Sequence, residues 1–205
     1  MKINSDASPQ VILASASEAR SALLKKAGLH FDVIPAQVDE SAIKIESIKQ
    51  NISVDEVAIK LATLKAQRVS NYKPGALVIG CDQLLECEGQ WYDKASDREH
   101  ADQQLRSLRG KRHVLVTAAT IIIDGVKIWG HIESPELYMR NFDDEFINYY
   151  LNLAQEDAYG CVGAYRLESF GCQLFSKVNG DYFTILGLPL LPLLEFLRKQ
   201  GVIKV

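Results

Sequence analysis

Seven side chains in this sequence have the chemistry needed to handle a phosphorylated substrate and a divalent metal ion. Lysine and arginine neutralise phosphate charge, serine hydroxyls donate to phosphate oxygens, and carboxylates hold a metal ion or activate a water molecule. The cations and hydroxyls are Ser15, Ser17, Arg20, Lys65 and Lys94, and the carboxylates are Glu40 and Asp82. None is decisive by itself, because serine often caps a helix and lysine is usually a solvated surface side chain. Their interpretation depends on the elements that position them.

The first of these elements is a strand, loop and helix near the N-terminus. Val11–Leu13 is a short apolar run, small residues follow it, and apolar residues at helical spacing continue until Gly28. This order predicts a buried strand, a tight loop and a helix N-terminus, whose free backbone N–H groups favour an anion. Ser15, Ser17 and Arg20 lie in the loop and the first helical turn. They either contact phosphate or serve as an ordinary helix cap and a solvated arginine.

Two further elements place Lys65 and Asp82. Ser53 and Glu56 form a capping-box pattern at the start of a predicted helix that carries Lys65 and an apolar face. The run Ala76–Cys81 is almost continuously apolar, which predicts a strand covered on both faces. Asp82 follows this run directly, at the carboxyl end of a strand, which is where α/β sheets bind their ligands.

The rest of the pattern predicts an α/β protein with a mixed sheet. Helical and strand patterns alternate at first, and a strand-rich segment follows with a hairpin signal at Asp124-Gly125. Strand-like pieces flank Asn179–Asp181, and a final helix is predicted from about Pro189 to Gln200. Glu40 ends the polar segment Gln37–Glu40, which is predicted to be a loop.

Composition argues against several classes of protein. The 205 residues include 23 basic and 26 acidic side chains, and the net charge of −3 argues against a general nucleic-acid binder. The four cysteines lack zinc-site spacing and are expected to be reduced thiols. No run approaches the roughly 18 apolar residues of a membrane span, and Met1–Asp6 lacks the apolar core of a signal peptide. We therefore expect a cytoplasmic protein that binds neither nucleic acid nor membrane.

Six motifs, in order along nearly the whole chain, resemble those of the Maf family of nucleoside triphosphate pyrophosphatases. They are Leu13–Arg20 (L-A-S-x-S-P-x-R in the family), Val38–Glu40 (D-E), Leu61–Ala66 (L-A-x-x-K-A), Gly80–Asp82 (the aspartate motif), Lys94 (G-K-P) and Gly180–Pro189 (G-D-Y-x-x-x-x-G-L-P). Six ordered matches are far more specific than any one of them.

The resemblance implies hydrolysis of the bond between the α- and β-phosphates of a nucleoside triphosphate, which gives a monophosphate and pyrophosphate. It also implies a divalent cation, namely magnesium, manganese or cobalt. The residues implied to bind the triphosphate are Ser15, Ser17, Arg20, Lys65 and Lys94, with Lys94 also counted as catalytic. Glu40 and Asp82 are implied to be catalytic metal ligands, with Asp82 as the general base.

The resemblance also implies an architecture. Residues 1–205 are expected to form a single Maf-like α/β domain with a mixed central sheet flanked by helices. Its implied form is two-lobed, similar to that of inosine triphosphatases, with the site in the cleft. A homodimer is implied by the resemblance alone.

Gln83 and Glu168 bear on the choice of base. These two residues resemble those of the family branch that prefers 7-methyl-GTP, whereas the branch that acts on dTTP and UTP has threonine and glutamine at the corresponding positions. A carboxylate accepts hydrogen bonds from the N1–H and amine edge of guanine, and its charge suits a cationic methylated base. The alternatives are that both are ordinary polar loop residues, or that the enzyme is a dTTP and UTP pyrophosphatase.

The chain also departs from the family pattern. Glu18 replaces the proline of the opening motif, and Ala19 stands where the 7-methyl-GTP branch usually has tryptophan. Asp93 and Ala95 replace the glycine and proline that flank the family's lysine. These changes keep a third hypothesis open, a nucleotide-binding regulator with little turnover.

Overall fold

The computed structural model describes residues 9–204 of the chain. Its contacts divide the chain into two compact units. Unit 1 comprises the chain up to Gln83, Thr117–Glu133 and the chain from Gly187 onward, and unit 2 comprises Leu84–Val116 and Ser134–Leu186. The expectation about a signal peptide lies outside the described residues, and the single domain over residues 1–205 stays a prediction.

The elements of residues 9–204 are as follows. The strands are β1 (Val11–Leu13), β2 (Asp32–Val33), β3 (Leu77–Cys87), β4 (Gln90–Tyr92), β5 (Arg112–Ile123), β6 (Val126–Glu133), β7 (Glu136–Met139) and β8 (Phe175–Asn179). The α-helices are α1 (Glu18–Lys26), α2 (Glu40–Lys49), α3 (Val54–Ser70), α4 (Arg98–Leu108), α5 (Asp144–Ala154), α6 (Tyr182–Ile185) and α7 (Leu190–Lys199).

These strands form one mixed sheet. Their order is β2-β1-β3-β5-β7-β8, with β4 paired to β3 and β6 paired to β5. Strand β1 runs parallel to both β2 and β3, whereas β4, β6, β7 and β8 make antiparallel pairs. The predicted α/β fold class with a mixed central sheet is therefore confirmed.

In unit 1, helix α3 packs against the parallel strands. Ala66 of α3 joins Ile12 of β1 and Val78 of β3 in one buried apolar cluster. The capping box at the start of α3 is present as predicted, because Ser53 Oγ accepts from Glu56 N–H while Glu56 Oε2 accepts from Ser53 N–H. This cap fixes where α3 begins and hence where Lys65 lies along it.

In unit 2, α4 and α5 share a second apolar core with the antiparallel strands. Leu105 of α4, Ile147 of α5 and Leu137 of β7 are all fully buried in it. Asp97 and Asp143 cap the two helices, each accepting a hydrogen bond from the backbone N–H three residues later. The two caps determine where α4 and α5 begin.

Three local predictions were wrong. Strand β3 does not end before Asp82 but continues to Cys87, because Leu85 and Cys87 pair with β4 in a hairpin. The polar segment Gln37–Glu40 is not all loop, since Glu40 is the first residue of helix α2, which Asp39 caps by accepting from Ala42 N–H at 3.0 Å. The piece after Asp181 is helix α6 rather than a strand, because Asp181 Oδ2 accepts from Thr184 N–H at 2.7 Å.

His113 in the core of unit 2 makes stability pH-dependent. Its Nε2 lies 2.7 Å from Tyr165 Oη, the side chain is buried, and burial lowers its pKa from 6.5 to about 4. The unfolded chain therefore binds a proton that the folded chain excludes, and stability falls as the pH falls from 6.5 to 4. We expect a loss of about 3 kcal/mol over this interval.

Urea unfolding of wild type and His113→Gln at several pH values checks this expectation. The glutamine amide cannot be protonated, so the free energy of unfolding of the variant should decline by about 3 kcal/mol less than that of wild type between pH 6.5 and 4. Parallel curves for the two proteins over this interval would show that His113 is not the cause.

Candidate active site

Ser15 and Ser17 shape the loop between β1 and α1. Ser17 Oγ accepts from Arg20 N–H at 3.4 Å and is the N-cap of α1. Ser15 Oγ accepts in turn from Ser17 N–H at 3.3 Å. The ordinary reading of Ser17 as a helix cap is therefore confirmed, and the same hydrogen bonds hold the loop in one conformation.

The guanidinium of Arg20 is a buried clamp rather than a solvated surface group. Its Nε donates to Gly187 O at 2.8 Å, and its Nη1 donates to Ser15 Oγ and Cys81 O, both at 3.0 Å. Only 8% of the residue is exposed. Arg20 thus ties the first loop to strand β3 and to the turn before α7, and its Nη1 contacts the residue that precedes Asp82.

Lys65 joins the two candidate carboxylates. Its Nζ lies 2.5 Å from Asp82 Oδ1 and 2.7 Å from Glu40 Oε1. Lys65 is on α3, Asp82 is on β3, and Glu40 is the first residue of α2. Three residues far apart in the sequence therefore meet at Lys65 Nζ within unit 1. The order of the motifs indicated these three residues but gave no distances between them.

Gly80 allows α3 to approach β3 closely enough for this contact. A Cβ on Gly80 would lie 2.1 Å from Ala62 O and 2.8 Å from Ala66 N, both backbone atoms of α3. Since backbone atoms cannot rotate away, only glycine fits at this position. Close packing of β3 on α3 thus explains why the Gly80–Asp82 motif begins with glycine, two residues before the carboxylate.

Burial raises the pKa of Asp82. Desolvation is the largest cause, while the charges of Lys65 and Arg20 oppose it. The carboxylate is thus more basic than that of an exposed aspartate, although the Lys65 ammonium still contacts its Oδ1. Its other oxygen, Oδ2, is buried and has no hydrogen-bond partner among residues 9–204. A buried carboxylate oxygen without a partner is expected where a ligand, metal ion or reacting water binds.

The donor set fits a magnesium-like cation that is shared with a substrate. Glu40 and Asp82 offer carboxylate oxygens, including the unpartnered Asp82 Oδ2. The described part of the chain contains no group of three or more His, Cys, Asp and Glu side chains that would form a complete metal cage. Magnesium is typically held by one or two carboxylates, and water and phosphate oxygens complete its octahedron.

The remaining predicted residues divide between the two units. Gln83 of unit 1 is half-buried, and its Nε2 donates to Thr117 Oγ1 at 2.8 Å. Lys94 and Glu168 belong to unit 2, where both are exposed. Burial raises the pKa of the Cys161 thiol, and the charge of Glu168 adds to this shift while that of Lys94 opposes it. Unit 1 therefore contains Ser15, Ser17, Arg20, Glu40, Lys65, Asp82 and Gln83, and its side-chain contacts join the first three in one group and Glu40, Lys65 and Asp82 in another.

Sequence reasoning missed the partners that position Arg20 and Gln83. Gly187 O and Cys81 O are main-chain acceptors, which leave no side-chain signal in a sequence. Thr117 lies within strand β5, where nothing in the sequence marks its hydroxyl as the partner of Gln83. The closing G-L-P motif, which contains Gly187, was the one available hint of a contact with the opening loop.

Two of the departures from the family pattern have local explanations. Glu18 is exposed in the first turn of α1, where a negative charge stabilises the helix dipole. Ala95 is buried in the apolar core of unit 2. No feature of the described structure explains Asp93.

Comparison with known proteins gives a consistent assignment. The family model described as Maf-like protein matches residues 10–200. A protein named nucleoside triphosphate pyrophosphatase from Granulibacter bethesdensis is 48% identical over 196 residues, which is 96% of this chain and 100% of that protein. One with the same name from Paramagnetospirillum magneticum is 50% identical over 93% of this chain and 98% of its own length. A protein named 7-methyl-GTP pyrophosphatase from Mesorhizobium japonicum is 45% identical over 95% of this chain and 98% of its own length.

No helix within residues 9–204 is long and apolar enough to cross a lipid bilayer.

Proposed function

The chain belongs to the family of Maf-like proteins, and on this premise we propose that it is a nucleoside triphosphate pyrophosphatase that acts on 7-methyl-GTP or another modified nucleotide. The products are the nucleoside monophosphate and pyrophosphate. The observation that carries the proposal is the contact of Lys65 Nζ with both Glu40 and Asp82. It is accompanied by the hydrogen bond from Arg20 Nη1 to Ser15 Oγ, which holds the loop between β1 and α1. Catalysis of phosphoryl transfer consists mostly of such positioning and charge neutralisation.

Asp82 acts as the general base in this proposal. Its raised pKa makes the carboxylate a better proton acceptor than an exposed aspartate, and Oδ2 is the oxygen that has no protein partner in the described chain. The proton of an attacking water molecule passes to this oxygen as the water oxygen attacks phosphorus and pyrophosphate leaves.

The remaining residues bind the triphosphate and the cation. The loop that contains Ser15 and Ser17 contacts the phosphates. Arg20 contributes the positive charge of a guanidinium held in one position, and Lys65 and Lys94 contribute ammonium groups on flexible side chains. Glu40 and Asp82 would hold a divalent cation, which when bound neutralises phosphate charge. A homodimer and a cytoplasmic location are part of the same proposal.

The proposed base is guanine methylated at N7. Two relatives with the name 7-methyl-GTP pyrophosphatase, from Mesorhizobium japonicum and Brucella abortus, are 45% and 43% identical to this chain. Glu168 is exposed and available to accept from the guanine edge, and the bond from Gln83 to Thr117 restricts the Gln83 amide. The names of these two relatives favour a guanine nucleotide over dTTP and UTP, and the exposure of Glu168 is compatible with this choice.

Pyrophosphate release across a nucleotide panel tests the proposal. The panel contains 7-methyl-GTP, GTP, dTTP, UTP, ATP and CTP, each with magnesium, manganese or cobalt. The proposal expects 7-methyl-GTP to have the highest kcat/KM. Faster turnover of dTTP and UTP would assign the chain to the other branch, and tight binding without release on the whole panel would make it a regulator.

Glu168→Gln should weaken the preference for 7-methyl-GTP. The amide loses the charge that suits a cationic base and presents a donor beside the guanine donors, so kcat/KM for 7-methyl-GTP should fall about tenfold relative to dTTP. The ratio of the two kcat/KM values measures the effect. Glu156→Gln, an exposed glutamate in the same unit, is the matched control. An unchanged ratio in Glu168→Gln would remove the guanine-edge role.

A further inference from the structure

The ammonium of Lys65 lies between the carboxylates of Glu40 and Asp82. Both carboxylates contact this one nitrogen, at 2.7 Å for Glu40 Oε1 and 2.5 Å for Asp82 Oδ1. We propose that Lys65 is an internal substitute for the cation, which pairs with both carboxylates in the metal-free protein and leaves them when a divalent cation binds. The inference rests on the proposed function only in that Glu40 and Asp82 are the cation ligands.

Burial explains why a substitute is needed. The Asp82 side chain is 4% exposed and the Lys65 side chain is 9% exposed, so water solvates neither charge well. Two neighbouring carboxylates without a cation would repel each other, and the buried one would be poorly solvated. Lys65 removes both penalties in the metal-free state, which lets the site exist before any ligand arrives.

The same geometry requires Lys65 to move. A magnesium-like ion sits about 2.0–2.1 Å from its carboxylate oxygens, and an ammonium cannot remain at hydrogen-bond distance from the same oxygens without strong repulsion between the cations. Lysine is suited to the exchange because its ammonium ends a flexible four-carbon stem. An arginine as rigidly clamped as Arg20 could not make this exchange.

Two features give the exchange a route. Glu40 has a side chain that is 41% exposed, so an incoming cation can reach it from solvent. Asp82 Oδ2 has no partner among the described residues, so it can contact the arriving cation first and is left as the proton acceptor once the cation has replaced Lys65 at Oδ1. Once released, the ammonium is free to contact phosphate, so the positive charge of Lys65 becomes available to the substrate only when the cation is present.

Direct measurement of manganese binding tests the exchange without reference to activity. Electron paramagnetic resonance counts free Mn²⁺ in titrations of wild type, Lys65→Met and Lys60→Met, where Lys60 is an exposed lysine on the same helix. Removing the competing ammonium should tighten Mn²⁺ binding by about tenfold or more in Lys65→Met. Lys60→Met should bind as wild type does. Unchanged or weaker binding in Lys65→Met would overturn the inference.

A second measurement uses the wild-type protein and so does not depend on the folding of a variant. Lysines are acetylated with a limiting reagent, with and without Mg²⁺, and the modification at each residue is quantified by mass spectrometry. Release from the carboxylates should raise modification of Lys65 at least threefold with Mg²⁺ relative to Lys60. No change, or protection of Lys65, would overturn the inference. Pyrophosphatase activity enters neither test, so failure of the proposed function is distinguished from failure of the exchange.

Discussion

Asp82→Asn should reduce kcat for pyrophosphate release by about a thousandfold, because an amide cannot take a proton from the attacking water. The change is nearly isosteric, and the amide oxygen can still accept from Lys65 Nζ. Nucleotide affinity in the presence of calcium, measured by calorimetry, should therefore stay within about tenfold of wild type. The combination of lost turnover and retained binding identifies a catalytic role.

The matched control is Glu195→Gln. Glu195 makes an exposed ion pair with Lys199 on α7, and its substitution removes a carboxylate charge without touching the site. Its kcat should equal that of wild type. Asp82→Asn with more than a tenth of wild-type kcat would exclude Asp82 as the general base.

Gly80→Ala should lower the free energy of unfolding by about 3 kcal/mol, because the added methyl group overlaps backbone atoms of α3. The new Cβ would lie 2.1 Å from Ala62 O, so β3 and α3 must separate. This separation also pulls Lys65 away from Asp82. Urea unfolding measures the loss of stability, and pyrophosphate release should fall with it.

Gly130→Ala is the matched control for this change. Gly130 lies in strand β6, where an added Cβ meets only the end of the Lys127 side chain at close range, at 2.8 Å from Cε and 3.0 Å from Nζ. The flexible lysine can rotate away, and stability should change by less than about 1 kcal/mol. If Gly80→Ala is no more destabilising than Gly130→Ala, close packing of β3 on α3 does not position the site.

The fold was predictable wherever local chemistry decided the structure. The capping box at Ser53, the helix-capping aspartates and the Asp124-Gly125 turn each determine a boundary through hydrogen bonds within a few residues. The continuation of β3 past Asp82 was not predictable in this way, because it depends on pairing with β4. Helix α6 was missed because Asp181 has equal chemistry as a turn residue and as a cap.

The site was predictable in its residue types and not in its contacts. The order of motifs identified Glu40, Lys65 and Asp82, but no spacing indicated that Lys65 bridges the two carboxylates. The role of Arg20 was also only half predicted. Its contact with phosphate stays a prediction, and the contacts of its Nε and Nη1 with main-chain carbonyls could not be predicted because those acceptors carry no sequence signal.

Identification of the products from 7-methyl-GTP tests the central claim most directly. The enzyme is incubated with 7-methyl-GTP and magnesium, and nucleotides and phosphates are resolved by ion-exchange chromatography, with Asp82→Asn in parallel. Cleavage between the α- and β-phosphates predicts equal amounts of 7-methyl-GMP and pyrophosphate from wild type and neither from the variant. Release of 7-methyl-GDP with orthophosphate would contradict the assigned reaction, and equal product formation by Asp82→Asn would contradict the assigned base.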